Sequence, residues 1–324
     1  MITRFVLAIL LLAVSLAAEA QPARILPRVA VLYPGSPPQG NQTTRPFLQG
    51  MRENGYVDGK DFTFDPRYVG TRGDEMERAI AALLLLKPDV IVTVGSQGAW
   101  AAKRATSTIP IVMALAADPV GQGLVSSLAK PGGNVTGNAI LTEVVIVKRL
   151  ELLHELLPKA RRIASLQNPS SPMYAILWNR LESAAKQLGL TLLRFDAASP
   201  TALDTALAEV ALQRVDAMIV GQDNLFYAAR SKIAQSMSRA RVPAIHAFRE
   251  AVDDGGLMSY ANSREAMFRK AASFVVRILK GARPSDLPVE QATTFEMVIN
   301  LKTAKTLGLI IPPSLLVRAD QVIE

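Results

Sequence analysis

Short apolar runs that stop at Gly, Pro, Ser or Asp recur along this chain, and stretches with helical apolar spacing separate them. Val29 to Tyr33 is the first run, and it ends at Pro34-Gly35. Phe47, Leu48 and Met51 then follow at helical spacing, with Gly55 where a glycine closes a helix. Phe62, Phe64 and Tyr68 predict a partly alternating strand. Asp74 caps a helix whose inner face is Met76, Ile80, Leu83 and Leu84. Val90 to Val94 and Ile109 to Leu115 predict two more strands, ending at Gly95-Ser96 and near Asp118-Pro119.

The second half runs in the same order. Ile163 to Leu166, Leu190 to Phe195, Ala217 to Val220 and Val242 to Ala247 predict strands. Between them lie helices marked by Tyr174, Leu177, Trp178, Leu181, Ala185 and Leu188, and by Leu203, Leu207 and Val210. Such alternation is that of an α/β protein whose parallel sheets are covered on both faces.

The two halves also resemble each other residue by residue. Arg28 to Pro38 is R-V-A-V-L-Y-P-G-S-P-P, and Arg162 to Pro172 is R-I-A-S-L-Q-N-P-S-S-P. Lys87-Pro88-Asp89 is echoed by Arg214-Val215-Asp216, and Ile109-Pro110-Ile111 by Val242-Pro243-Ala244. The expected fold is therefore two doubly wound parallel-sheet lobes joined by a hinge, with a cleft between them. Breaks at Pro131-Gly132-Gly133-Asn134, at Gly255-Gly256 and at Lys280-Gly281 with Pro284 and Pro288 suit three crossings between lobes. The expected lobes are residues 21–140 plus 262–286, and 141–261 plus 287–324. Met267, Ala271, Phe274, Val275 and Ile278 mark a helix that returns to the first lobe.

The amino-terminal end changes the picture. Arg4, the apolar run Phe5 to Ala18 and the small-x-small triplet Ala18-Glu19-Ala20 form a secretory signal pattern with cleavage expected after Ala20. The apolar run is shorter than the ~20 residues a spanning helix needs. The chain has no cysteine, which excludes a lipid on cysteine, disulfides, thiolate catalysis and cysteine-ligated metal. A soluble periplasmic monomer is expected. The net charge is +8, yet the basic residues are scattered and no stripe of Lys and Arg appears, so nucleic acid is not an expected partner.

Ligands of open parallel sheets bind beyond the carboxyl ends of the strands. That rule selects Gly35, Ser36, Ser96, Gln97 and Asp118 from the first half. From the second it selects Asn168, Ser170, Ser171, Gln222, Asp223, Asn224 and Phe248, and Tyr260 lies near these ends. Serines that open helices suit a carboxylate, Asp118 or Asp223 suits an ammonium, and the aromatic residues suit an apolar body. Tyr33, Trp100 and Phe226 join the aromatic candidates. Catalytic and cofactor patterns are missing. Val94-Gly95-Ser96-Gln97-Gly98 has Val94 where a nucleophile elbow needs its first Gly. The two histidines, His154 and His246, have no metal-ligand spacing. No phosphate-binding glycine loop follows the first strand, so no cofactor is expected. A hydrolase using Ser96 is the least favoured of the functions weighed.

Three longer signatures extend along the chain. The first joins Ala117-Asp118-Pro119-Val120, Gly123-Leu124-Val125, Ser127-Leu128-Ala129 and Pro131 to Gly137. The second joins Leu279 to Pro284 with Leu287 to Gln291. The third runs from Phe295 to Asn300 through Leu307-Gly308-Leu309 and Ile311-Pro312 to Arg318-Ala319-Asp320. Together they resemble the ABC-transporter substrate-binding protein family of the type 1 periplasmic binding fold. The resemblance implies a non-enzymatic receptor that closes on a small solute, amino acids among the possibilities, and delivers it to an inner-membrane permease. A receptor presenting its ligand to a membrane kinase or chemoreceptor is the alternative. The resemblance places Ser96-Gln97, Asp118, Asn168 to Ser171 and Asp223-Asn224 on cleft loops.

Overall fold

The computed structural model describes residues 26–34, 44–70 and 73–324. The signal segment and the Gly35-Ser36 turn lie outside the described residues. The first unit runs β1 (Arg28–Pro34), α1 (Arg45–Glu53), β2 (Thr63–Val69), α2 (Gly73–Leu84), β3 (Val90–Val94), α3 (Ser96–Ala105), β4 (Ile111–Ala117) and β5 (Val135–Ile140). The second begins with α4 (Thr142–Leu156) and continues β6 (Arg162–Gln167), α5 (Tyr174–Gln187), β7 (Thr191–Asp196), α6 (Pro200–Leu212) and β8 (Ala217–Val220). It goes on through α7 (Asn224–Ala228), α8 (Arg230–Ala240), β9 (Ala244–His246), α9 (Arg249–Asp253) and β10 (Met258–Asn262). The tail supplies α10 (Arg264–Leu279), β11 (Glu290–Gln291), β12 (Phe295–Asn300), α11 (Leu301–Thr306), α12 (Pro313–Arg318) and β13 (Gln321–Ile323).

These strands form two sheets, ordered β2-β1-β3-β4-β5-β11 and β7-β6-β8-β9-β10-β12-β13. The first five strands of each follow one winding, which is the expected α/β, doubly wound fold. All pairings are parallel except β10 with β12. Alternate side chains explain why the apolar runs are continuous. Val29, Val31 and Tyr33 pack under α1 and α10, whereas Ala30 and Leu32 pack under α2 and α3. In the second sheet Ala217 and Ile219 face α4 and α5, while Met218 and Val220 face α6 and α8. Each such Val, Leu or Ile contributes ~1.5–3 kcal/mol on burial.

The internal repeat is visible in hydrogen bonds. Asp89, just before β3, accepts from the Arg28 N–H at the start of β1 (2.7 Å). Asp216, just before β8, accepts from the Arg161 and Arg162 N–H groups at the start of β6 (2.7 and 2.8 Å). Those backbone bonds hold the Asp216 carboxyl below its ordinary pKa. The aspartates of the echoed triplets thus do the same work in both copies.

The chain leaves the first sheet after Ile140, returns after Asn262 and leaves again between Gln291 and Phe295. These crossings differ from the Gly/Pro breaks expected to make them. The breaks at Pro131 to Asn134 and at Gly255-Gly256 instead turn the chain into β5 and β10, and the crossing comes after each strand. The third crossing also lies beyond residue 286. Leu287 and Val289 are buried in the cores of the first sheet, and β11 pairs with β5. The crossings lie side by side. Ala292 N–H donates to Ala139 O (2.8 Å), Asn262 Nδ2 to Ala292 O (3.2 Å) and Ser263 N–H to Thr294 O (3.1 Å).

Candidate functional site

The carboxyl ends of both sheets face one hollow of about 620 Å³, part of it open to solvent. The first sheet contributes Gly95, Ser96 and Gln97 after β3, Leu115 and Ala117 from β4, and Ile140 from β5. The second contributes Ser171, Met173 and Leu177 after β6, Gln222, Asp223 and Asn224 after β8, and Phe248 after β9. Arg264 and Thr142 enter from two of the crossings. The turns of the two units are already close. A Cβ built on Gly95, whose φ is +89°, would stand 2.9 Å from Asn224 Nδ2.

Asp223 caps α7 with a single carboxylate oxygen. Its Oδ1 accepts from Leu225 N–H (2.8 Å) and from Asn168 Nδ2 (3.1 Å). No partner within the described residues takes Oδ2. Burial raises the Asp223 pKa against the lowering effect of those two bonds. Opposite in sign is Arg264, at the first turn of α10. Its Nε pairs with Glu250 at 3.1 Å, and its guanidinium lies over the rings of Tyr227 (4.3 Å), Phe268 (5.4 Å) and Phe248 (5.8 Å). Burial alone would lower its pKa, but Tyr227 and Glu250 outweigh that and raise it. Two more polar atoms on the wall, Thr142 Oγ1 and Gln122 Oε1, are buried with no partner among the described residues. A buried polar atom left unsatisfied costs ~1–3 kcal/mol, a cost that a polar ligand group reaching either atom would offset.

Seven of the expected site residues meet in this hollow: Ser96, Gln97, Ser171, Gln222, Asp223, Asn224 and Phe248. The others do not line it. Asn168 is buried behind Asp223, which it supports, and its Oδ1 accepts from Ser170 N–H (2.9 Å). Ser170 is exposed. Asp118 spends its carboxylate on the Gly121 N–H (2.9 Å) and faces a separate hollow beside Val120 and Val144. Tyr260 stacks on Phe295 (centroids 5.8 Å apart), away from the cleft. Gly35 and Ser36 lie outside the described residues. Of the further aromatic candidates, Tyr33 packs on Tyr68 and Phe268, Phe226 is core, and Trp100 lies against Lys103.

Ser96 is not set up as a nucleophile. Its Oγ accepts from Ala117 N–H (3.1 Å), which ties the β3–α3 turn to the end of β4. No histidine lines the cleft: His246 is buried beside Gly256, and His154 is half-buried in the last turn of α4. No group of three or more His, Asp or Glu able to hold a metal occurs among the described residues. Within those residues, no helix is long and apolar enough to cross a membrane.

Sequence reasoning missed Arg264, Thr142, Gln122 and the apolar wall of Leu115, Ile140, Met173 and Leu177. The strand-end rule itself reaches Arg264 and Thr142 once β10 and β5 are recognised. β5 was hidden because it carries Thr136, Gly137 and Asn138, polar or small residues that are buried, with Thr136 bonding the distant Leu287 carbonyl and Asn138 that of Met267.

Comparison with known proteins assigns the family and the fold. The family model of the ABC transporter substrate binding protein matches residues 28–323. The chain belongs to this family. It is 28% identical over 272 residues to a tyrosine-binding protein of Clostridioides difficile strain R20291, covering 84% of this chain and 78% of that one. A conserved domain protein of Vibrio cholerae O1 biovar El Tor superposes with a TM-score of 0.84 at 29% identity, over 91% of this chain and 99% of that one. An ABC domain from Streptococcus pneumoniae in complex with L-Trp superposes with a TM-score of 0.81 at 28% identity, over 91% and 100%. The family and its named relatives are binding proteins, which settles the non-catalytic reading, and the fold is that of type 1 periplasmic binding proteins.

Proposed function

We propose that this protein is a periplasmic receptor that closes two lobes on an α-amino acid with an apolar or aromatic side chain, and hands it to an inner-membrane ABC permease. The lobes are residues 26–140 plus 264–291, and 142–262 plus 295–324, with the three adjoining crossings as hinge. One observation carries the ligand class: a free Asp223 carboxylate oxygen and the Arg264 guanidinium line the same cleft as Leu115, Ile140, Met173, Leu177 and Phe248. A zwitterion with an apolar body complements that set, with its ammonium on Asp223 and its carboxylate toward Arg264. The unsatisfied Thr142 and Gln122 oxygens and the two relatives described with tyrosine and tryptophan support the same class.

Thermal unfolding against a panel of amino acids and organic acids tests the reading. A true ligand at a hundredfold over its Kd stabilises by about 2.7 kcal/mol. If no amino acid shifts the transition, the ligand class is wrong. Asp223→Asn gives a sharper result. Asparagine still caps Leu225, but it cannot pair with an ammonium, so affinity for the amino acid falls at least ~10-fold. Stability moves the other way. A carboxyl whose folded pKa is raised disfavours folding once the pH exceeds its unfolded pKa, so at pH 7 the variant unfolds at a higher temperature than wild type. Calorimetric titration and thermal melts of the same sample check both signs.

A further inference from the structure

Arg149 is an anomaly in the core of the second lobe. It occupies the inner face of α4 with Val145, Ile146, Leu152, Leu153 and Leu156, and it is 0% exposed. None of the acidic groups among the described residues pairs with it. Its Nε donates to the Tyr260 carbonyl (2.8 Å), Nη2 donates to Gln222 Oε1 (3.3 Å), and Nη1 has no partner among the described residues. Burial lowers its pKa to about 9, so it remains charged at neutral pH. Nearby His246 is neutral there and offers no compensation. A buried cation without a counter-charge is costly, and an apolar side chain of similar volume is commonly better tolerated.

The geometry at Gln222 shows what the cation achieves. A guanidinium has donors and no acceptor, so the amide atom facing it must be the oxygen. The Gln222 amide is thereby fixed. Its Nε2 has no acceptor among the described residues, and the side chain lines both the main cleft and a smaller neighbouring hollow beside Phe248 and Arg264, whose two carboxylates, Glu250 and Glu296, are paired with Arg264 and Arg249. A free glutamine can flip to meet either a donor or an acceptor. This one presents only a donor.

We infer that Arg149 is a positioning residue that locks Gln222 as a hydrogen-bond donor, making the Gln222–Arg264 end of the cleft a subsite for the ligand's carboxylate. This deepens the amino-acid reading and rests on it. The uncompensated charge of Arg149 favours an anion at that end, and the locked amide rejects a ligand whose facing group is itself a donor. Selectivity for a free acid over its amide therefore resides in Gln222 and in the arginine behind it.

The test is calorimetric titration of wild type and variants with L-tyrosine, L-tyrosinamide, tyramine and 4-hydroxyphenylpropionate, and with the matching tryptophan series. Wild type is expected to bind the amino acid at least tenfold more tightly than its amide. Gln222→Glu places an acceptor at the subsite and neutralises Arg149, so the fold is kept while acid binding falls about a hundredfold. Arg149→Met frees the Gln222 amide to flip, and the acid-to-amide ratio falls at least threefold even where overall affinity changes little, with Arg264 keeping it above one. Loss of stability alone leaves that ratio unmoved. Wild type binding acid and amide equally, or Gln222→Glu binding the acid within threefold of wild type, overturns the inference and leaves the amino-acid reading standing. Binding of 4-hydroxyphenylpropionate with the same Gln222 dependence, but of no amino acid, overturns the amino-acid reading and leaves the carboxylate subsite standing. A panel with no binder overturns both.

Discussion

Gly137→Ala is expected to cost ~4 kcal/mol or more, among the largest effects a single methyl group produces. Gly137 lies in β5 directly opposite Met113 of β4, next to the register shift between Met113 and Ala116. Its φ is +127°, a region that side chains with a Cβ rarely occupy. A Cβ there would stand 2.2 Å from Met113 O and 2.5 Å from Met113 N. Both are backbone atoms, so no side chain can swing away. Relief requires parting β4 from β5, which removes support from Ile140 and the crossing that comes after it. Gly133→Ala is the control: nothing lies within 4 Å of its Cβ and its φ is ordinary. The chain has two tryptophans, Trp100 in the first lobe and Trp178 in the second. Urea unfolding followed by Trp100 in a Trp178→Phe background should show the loss for Gly137→Ala and none for Gly133→Ala. Equal midpoints for the two variants would remove the steric argument.

Acid should weaken the second lobe through His246. The residue is 1% exposed, its Nε2 has no partner among the described residues, and Gly256 closes over it. Burial and then the charge of Arg149 lower its pKa to about 4, against ~6.5 in an unfolded chain. Above pH 6.5 both states hold the ring neutral, and nothing is lost. As the pH falls from 6.5 toward 4, the unfolded chain takes up a proton that the folded chain refuses. The difference grows to ~3 kcal/mol by pH 4 and then levels off. Carboxylates titrate in part of the same window, so the measurement is a difference. Wild type and His246→Gln are unfolded in urea at pH 7 and at pH 4.5, with Trp178 as probe in a Trp100→Phe background. The stability gap between them should narrow or invert at pH 4.5 by ~2–3 kcal/mol. Parallel losses in both proteins would show that His246 is not the group responsible.

The elements that local sequence announced are those whose burial is symmetrical. β1, β3 and β8 lie between two helical layers, so each is a continuous apolar run ended by a turn. The duplicated aspartates at 89 and 216 were legible because each makes the same short backbone contacts in its own copy. The strand-end rule found Ser96, Gln97 and the Gln222 to Asn224 turn for a similar reason: the turn that closes a buried strand is set by its own few residues. β5 and α4 were less legible. Asn138 is buried because the carbonyls of Ala114 and Met267 accept from it (3.0 Å each), and Met267 is far along the chain. Arg149 interrupts the apolar face of α4 with a charge whose partners, Gln222 and Tyr260, are also far along the chain.

By itself the sequence determined two doubly wound α/β units, their internal repeat and the end of each sheet that faces the cleft. Apolar periodicity and turn chemistry act over a few residues and need no distant partner. The tertiary structure alone decided where the chain crosses between units, that Asp118 and Tyr260 are turned away from the cleft, and that Arg264 and Thr142 are brought to it. The crossings depend on contacts between distant segments, Ala139 with Ala292 among them, whereas Asp118 is turned by the Gly121 N–H and Tyr260 by Phe295, contacts that no apolar pattern announces. Nothing in a local pattern of apolar and polar residues encodes which of two polar strand ends will meet across a cleft.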